Sequence, residues 1–324
     1  MSRADGWLTT LLADPAVTDV LVNGPGEVWV ERLGALHPSG VVLDLDAIEL
    51  FIEQALAPVG RRVDRTSPLV DARLPDGSRV NVVLAPPALE GPCVTVRRFS
   101  ARELPLAAFA PPDVAALLAR AVRERRNVVV SGGTGAGKTT LLNALAAHIA
   151  PDERVVTIED AAELRLPGRH VVRLEARPPS ADGTAGVSIG DLVRNVLRMR
   201  PDRIVVGECR GGEAHDMVQA LHTGHRGALT TCHANDPADA LRRLETMVLA
   251  AGAGLPLEAV RAQVASALDL VVHVARGAGG RRRVAAVCEV VDTGAPSGPD
   301  SLPGAGLRRL ADARGVHRGH RPVA

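Results

Sequence analysis

Lys138 is the only lysine among the 38 Lys+Arg of this 324-residue chain, so every other basic residue of that count is arginine. It lies in Gly132-Gly133-Thr134-Gly135-Ala136-Gly137-Lys138-Thr139, with Thr140 following. This is the G-x-x-x-x-G-K-[ST] spacing of a phosphate-binding loop. The chemistry explains the residue types. Glycines let successive backbone N–H groups curl around an anion. A compact ammonium reaches β- and γ-phosphates as a point charge. The threonine hydroxyl at 139 is placed to ligate Mg²⁺. Residues 132–140 are therefore expected to hold the phosphates of ATP, with Mg²⁺ as the second cofactor.

Further acids and histidines could serve the same reaction. Arg203-Ile204-Val205-Val206-Gly207-Glu208 reads as an apolar strand ending in a carboxylate. Glu208 there could hold Mg²⁺ through water or polarise an attacking water. Val155-Val156-Thr157-Ile158-Glu159-Asp160 is a second strand running into acids, with Glu163 beyond it. Several carboxylates at one sheet edge repel one another unless a cation is present. Asp160 reads as a helix-capping residue rather than a reactant. His225 and His233 bracket a short strand and could hydrogen-bond a γ-phosphate or the water aligned on it.

The elements around these residues fit. Asn127 to Ser131 reads as a buried strand, and Lys138 to Ile149 as a helix with Leu141, Leu142, Leu145 and Ile149 on one stripe. Further strands are expected at 155–158, 171–174, 204–206, 228–232, 270–274 and 284–291. Strands alternating with helices indicate an α/β domain with helices on both sheet faces. It is assigned to 114–292. Before it, residues 1–103 read as a smaller α+β domain. It has an opening helix, a hairpin around Pro25-Gly26, an amphipathic helix from Leu45 to Ala57, a hairpin turned by Asp76-Gly77 and a last strand from Cys93 to Phe99. The prolines at 105, 111 and 112 mark 104–113 as a linker. Residues 293–324, rich in Gly, Pro and Arg, read as a disordered tail.

Composition narrows the function. Apolar residues are 46% of the chain and aromatics only 2%, with no Tyr, so the cores are built from Ala, Val and Leu. A net charge of +1 gives no global basic field for nucleic acid. Cys93, Cys209, Cys232 and Cys288 form no C-x-x-C pair, which argues against zinc and for reduced thiols. The N-terminus lacks an apolar signal segment and no run reaches the ~18 residues of a membrane span, so a soluble cytoplasmic protein is expected.

Four ordered blocks carry a family resemblance. They are the loop at 132–139, Thr157 through Leu164, Arg198 through Arg210, and Gly224 through Asn235. Leu21 to Gly24 and Asp71 to Asn81 add to it. The chain resembles the type II/IV secretion ATPases, particularly the branch of tight-adherence (Flp) pili and conjugal transfer. The resemblance implies a RecA-like P-loop domain behind the smaller N-terminal one, and a homo-hexamer that hydrolyses ATP to assemble a pilus or move macromolecules. It also implies peripheral association with the inner face of the cytoplasmic membrane, beside an inner-membrane platform protein. Within it, Glu159, Glu163, Glu208, His225 and His233 would be catalytic. Arginines from the first domain or a neighbour would complete the ATP site, with Arg73, Arg79, Arg97, Arg98, Arg198 and Arg200 as candidates. The alternative is a RecA-like nucleic-acid motor, which would need stacking aromatics that three Phe and two Trp supply poorly. A guanine-nucleotide switch would need a second lysine in its base-reading element, and the chain has none.

Overall fold

The computed structural model describes residues 6–32, 34–98, 104–179, 185–252, 254–277, 281–291, 301–302 and 306–317. They form two compact units, Met1–Ala101 and Arg102–Ala324.

The first unit contains α1 (Gly6–Ala13), β1 (Val17–Asn23), β2 (Gly26–Arg32), β3 (Ala35–Leu43), α2 (Leu45–Leu56), β4 (Leu69–Arg73), β5 (Arg79–Val83) and β6 (Cys93–Arg97). Its strands form one antiparallel sheet in the order β3-β2-β1-β6-β5-β4. Alternation along the strands sends Val20, Val22, Val28, Val30, Val80, Val82, Val94 and Val96 to one core. There they meet Ile48, Phe51, Ile52 and Leu56 of α2, whose first turn is capped by Asp44 accepting from the Ala47 N–H at 2.8 Å. Both hairpins form where the turn residues indicate. Strand β3 is an addition to the sequence reading. Its Pro38 and Gly40 argue against a strand, and it is tolerated at the sheet edge. Phe99, assigned to the last strand, lies outside the described residues.

The second unit comprises α3 (Pro112–Arg123), β7 (Val128–Gly132), α4 (Lys138–Ala146), β8 (Val155–Glu159), β9 (Val171–Glu175), α5 (Ile189–Val196), β10 (Arg203–Cys209), α6 (Glu213–His222), β11 (Leu229–His233), α7 (Pro237–Ala250), α8 (Leu257–Ala267), β12 (Leu270–Arg276), β13 (Arg282–Val290), β14 (Ser301–Leu302), β15 (Leu307–Asp312) and β16 (Gly315–Val316). The sheet runs β14-β15-β13-β12-β7-β11-β10-β8-β9, and β16 pairs with β15. From β12 to β9 all pairs are parallel. Strand β7 thus lies centrally, between β12 and β11. This is the RecA-like α/β arrangement. Period-2 alternation builds two cores. Val128, Val130, Val155, Val205 and Val272 face α3 and α4, while Val129, Val156, Ile158, Ile204 and Val206 face α5 to α8. The N-terminal end of β10 is pinned by Arg203, whose side chain is fully buried. Its Nε and Nη2 donate to Glu153 at 2.7 and 3.1 Å, its Nη1 to the Gly227 carbonyl at 3.2 Å, and its Nη2 also to the Val122 carbonyl at 2.8 Å.

Two sequence assignments need correction. Residues 104–113 are not a linker. Leu106 and Phe109 are buried in the second unit's core, and the Phe109 carbonyl accepts from the Val284 N–H at 2.8 Å. Residues 293–324 are not wholly disordered. Strand β15 pairs with β13 and buries Leu307, Leu310 and Ala311, and the Val316 N–H donates to Asp113 Oδ2 at 2.8 Å. Three buried apolar residues among the six of β15 are enough to extend the sheet, whatever the surrounding composition. Residues 292–300, 303–305 and 318–324 lie outside the described residues.

Candidate functional site

The loop after β7 has the conformation its glycines permit. Gly135 and Gly137 have φ of 68° and 98°, a region that favours glycine. Gly132 lets β7 approach β12, since a Cβ there would lie 2.4 Å from the Val274 carbonyl oxygen. Helix α4 begins at Lys138 with no side-chain cap, so its first N–H groups point at the loop with the positive end of the helix dipole. Thr139 and Thr140, half-buried, occupy that first turn.

Lys138 is buried, and its Nζ donates to the Gly133 carbonyl at 3.1 Å while lying 3.2 Å from His233 Nε2. Burial lowers its pKa, and the Glu208 charge opposes that. His233 reaches the loop because β11 pairs with β7 in parallel register, with His233 opposite Gly132. Its Nε2 is also 2.8 Å from Glu208 Oε1. Glu208 Oε2 in turn accepts from Arg210 Nε and Nη2 at 2.8 and 2.7 Å. A continuous chain therefore runs Lys138–His233–Glu208–Arg210.

One neutral imidazole nitrogen cannot both accept from Lys138 and donate to Glu208. With Nε2 accepting, the buried Oε1 of Glu208 has no hydrogen bond. With Nε2 protonated, it donates to Oε1 and Lys138 keeps only the Gly133 carbonyl. Burial first, then Lys138 and Arg210, hold the His233 pKa below its ordinary value against the pull of Glu208, so the ring is neutral at pH 7.

Strand β10 aims Glu208 through an irregularity in its register. Val206 is opposite Thr230, but Cys209 is opposite Cys232, so three steps on β10 span two on β11. Such a bulge redirects side chains at a sheet edge. Gly207 is required there, because a Cβ would meet Glu159 Cγ at 2.8 Å, and its carbonyl accepts from Thr231 Oγ1 at 2.8 Å.

Glu159 has a different role from the one its sequence position suggests. It is 3% exposed, and Oε1 accepts from the Glu163 and Leu164 N–H groups at 2.8 and 2.9 Å. It braces the chain after β8 and has no surface to offer a substrate. Glu163, half-buried, is held by that brace and adds its charge to the field at Arg210. Burial raises the Glu159 pKa to about 7, with the two backbone N–H groups opposing the rise. For an acid whose folded pKa exceeds its unfolded one, the folded state binds more protons through the window between them. Its contribution is complete below about pH 4.5 and is lost as pH rises to about 7. Glu159→Gln should flatten that fall, worth about 3 kcal/mol, in thermal melts from pH 4.5 to 7.5. An unchanged slope would contradict the assignment.

Three sequence candidates sit at the end of the sheet opposite their own chain's loop. His225 precedes β11, and Arg198 and Arg200 precede β10, so they lie at the strands' N-terminal end. The P-loop follows the C-terminal end of β7, parallel to both. His225 there lines a cavity of about 530 Å³ with Glu124, Arg125 and Arg226. His225 is therefore not a reactant at its own chain's P-loop, and Arg198 and Arg200 do not complete that loop. Arg73, Arg79 and Arg97 form one cross-strand row in the first unit, where Arg97 Nε donates to Asp19 Oδ1 at 3.0 Å. Arg98 Nη1 donates to the Asp14 carbonyl at 2.8 Å. Arg210, two residues after Glu208 and just beyond β10, was hidden by the abundance of arginine.

Residues 2–300 match the family model described as type II/IV secretion system protein. The chain belongs to the type II/IV secretion ATPase family. A candidate conjugal transfer protein of Mycobacterium tuberculosis is 42% identical over 294 residues, covering 87% of this chain and 83% of that one. The type IV secretion system protein PtlH of Bordetella pertussis is 38% identical over 300 residues, covering 83% and 88%. Among solved structures, the VirB11 ATPase of the Brucella suis type IV secretion system, in complex with sulphate, is 33% identical. It covers 88% of this chain and 93% of its own, with a TM-score of 0.51. The VirB11 structure shares the α/β fold described above, and membership of this ATPase family implies nucleotide use.

Proposed function

We propose that this secretion ATPase hydrolyses Mg·ATP as a homo-hexameric ring and converts the cycle into movement of macromolecules across the membrane. Relatives named for conjugal transfer and type IV secretion support macromolecular transfer, with tight-adherence (Flp) pilus assembly as the other use of such an engine. No helix among the described residues is long and apolar enough to cross a membrane. The work would be done at the cytoplasmic face, against an inner-membrane platform protein.

The observation that carries hydrolysis, beyond binding, is the chain Lys138–His233–Glu208–Arg210. The residues suit a magnesium-bound triphosphate. The helix start is uncapped, both hydrogen-bond partners of Lys138 Nζ are neutral, and Glu208 Oε1 is buried beside an imidazole with either proton state open to it. Bound Mg·ATP would supply a terminal phosphoryl group for transfer to water, with the cation offsetting its charge. Thr139, and Glu208 through water, would hold the cation. Lys138 would exchange the Gly133 carbonyl and His233 for phosphate oxygens. His233, relieved of the ammonium, would be free to carry its proton on Nε2 and donate a hydrogen bond to Glu208. Arg210 fixes the other Glu208 oxygen, so the carboxylate is oriented for a water. The first unit's row of Arg73, Arg79 and Arg97, with Arg98, is our candidate source of the cation that meets the γ-phosphate in a ring. Arg198 and Arg200, at the opposite end of the sheet, could act only on a neighbour.

Particle mass and phosphate release test this reading together. With Mg·ATP the protein should weigh six copies and turn over, with activity per subunit falling on dilution below the assembly threshold. Full activity as a monomer would remove the ring, and no turnover in any assembly would remove the motor.

A further inference from the structure

The β12–β13 hairpin brings two guanidinium groups onto the phosphate-binding loop from the flank of β7 opposite β11. Arg276 closes β12, Arg282 opens β13, and the two are cross-strand partners. The Gly277 N–H donates to the Arg281 carbonyl at 2.8 Å, which fixes the strand ends. Arg276 Nε donates to the Gly135 carbonyl at 2.8 Å, and its Nη2 stands 3.3 Å from where a Cβ on Gly135 would lie. Arg282 Nη1 donates to Thr140 Oγ1 at 3.3 Å, and a Cβ on Gly137 would lie 2.5 Å from Arg282 Cδ. Each of the two left-handed glycines thus has an arginine lying over its bare Cα.

The charge arrangement points to a polyanion. Like charges directly opposite in an antiparallel pair repel. These two also approach the positive end of the α4 dipole and share the loop with Lys138. Their bonds to the loop end on a carbonyl and a hydroxyl, which a neutral donor could serve equally well. Three cations gathered on one glycine loop favour a ligand with several negative charges.

We propose that Arg276 and Arg282 are positioning residues of the nucleotide site. They hold Gly135 and Thr140 so that the loop's N–H groups and the Thr140 hydroxyl meet the phosphates, and their charge biases the loop toward polyphosphates. This depends on the reading of residues 132–139 as the nucleotide site. Neither arginine is marked by a sequence motif, since only the long-range pairing of β12 with β7 and β13 brings them there.

Calorimetric titration of the full chain with Mg·ATP and with AMP tests the proposal. Arg276→Gln and Arg282→Gln keep a hydrogen-bond donor and remove the charge. Each should weaken Mg·ATP binding by about tenfold or more, the usual scale for a charge-assisted bond. AMP binding should change less. The ligand-free melting temperature should hold, because glutamine can still donate to the Gly135 carbonyl and the Thr140 hydroxyl. Arg276→Lys and Arg282→Lys should recover part of the affinity. Affinity within twofold of the parent, or a ligand-free melting temperature that falls by enough to account for the loss, would overturn the proposal. Lys138→Ala run in parallel separates the causes. If it abolishes binding while the hairpin variants do not, the hairpin proposal alone fails. If it too leaves binding intact, the nucleotide-site reading fails and the hairpin proposal with it.

Discussion

Glu208→Gln should lower ATP turnover by roughly 10²–10⁴-fold, the range for removing a positioned proton-handling group. Nucleotide affinity should stay within about threefold, because the change removes an interaction used in the transition state rather than in binding. The substitution suits this site. Glutamine is isosteric, its carbonyl can still accept from Arg210, and the bulge at Gly207-Glu208 that aims the side chain is a backbone feature. What disappears is the negative charge that, in the proposed mechanism, orients water and accepts from His233. Arg210 would then face an amide, which loosens one bond that now measures 2.7 Å but leaves Lys138 and the loop in place. Single-turnover phosphate release with direct nucleotide titration separates the two effects. Turnover within twofold of the parent would remove Glu208 from the reaction.

The loop itself was fully legible, because its pattern is local: glycines, one lysine and a hydroxyl between a strand and a helix. The strand–helix alternation was equally readable, since apolar runs such as Val128-Val129-Val130 and Ile204-Val205-Val206 are short-range signals. The errors came where long-range geometry decides. His225 and His233 look equivalent as brackets of a strand. In a parallel sheet only the residue at the C-terminal end can face the P-loop, and β11 is one such strand. The same reasoning separates Glu208 from Arg198 and Arg200. Burial changed the meaning of Glu159. An acid at a strand end reads as a reactant, yet packing against Gly207 and two backbone N–H groups makes it a brace. Strand β15 was lost because proline and glycine around it dominated the composition, although Leu307, Leu310 and Ala311 carry enough apolar surface to be buried. Arg276 and Arg282 could not be chosen from so many arginines until pairing between strands placed them on the loop.

The second large effect is expected at Lys138. Its ammonium is already partly desolvated, so it gives up little water on meeting a phosphate. A low-dielectric setting strengthens that contact relative to the same pair in solvent. Alanine would remove two charge-assisted bonds at once, and it would free His233 from the competition for its Nε2. Because, among the described residues, its Nζ contacts only the Gly133 carbonyl and the His233 ring, the fold should tolerate the change.

Calorimetric titration of Lys138→Ala with Mg·ATP, beside a melt of the ligand-free protein, is the most direct test of the central claim that this loop holds the triphosphate. Affinity should fall by at least about 100-fold, the lower end expected for losing two bonds of about 1.5–3 kcal/mol each, with the melting temperature unchanged. Parental affinity in a folded variant would contradict it.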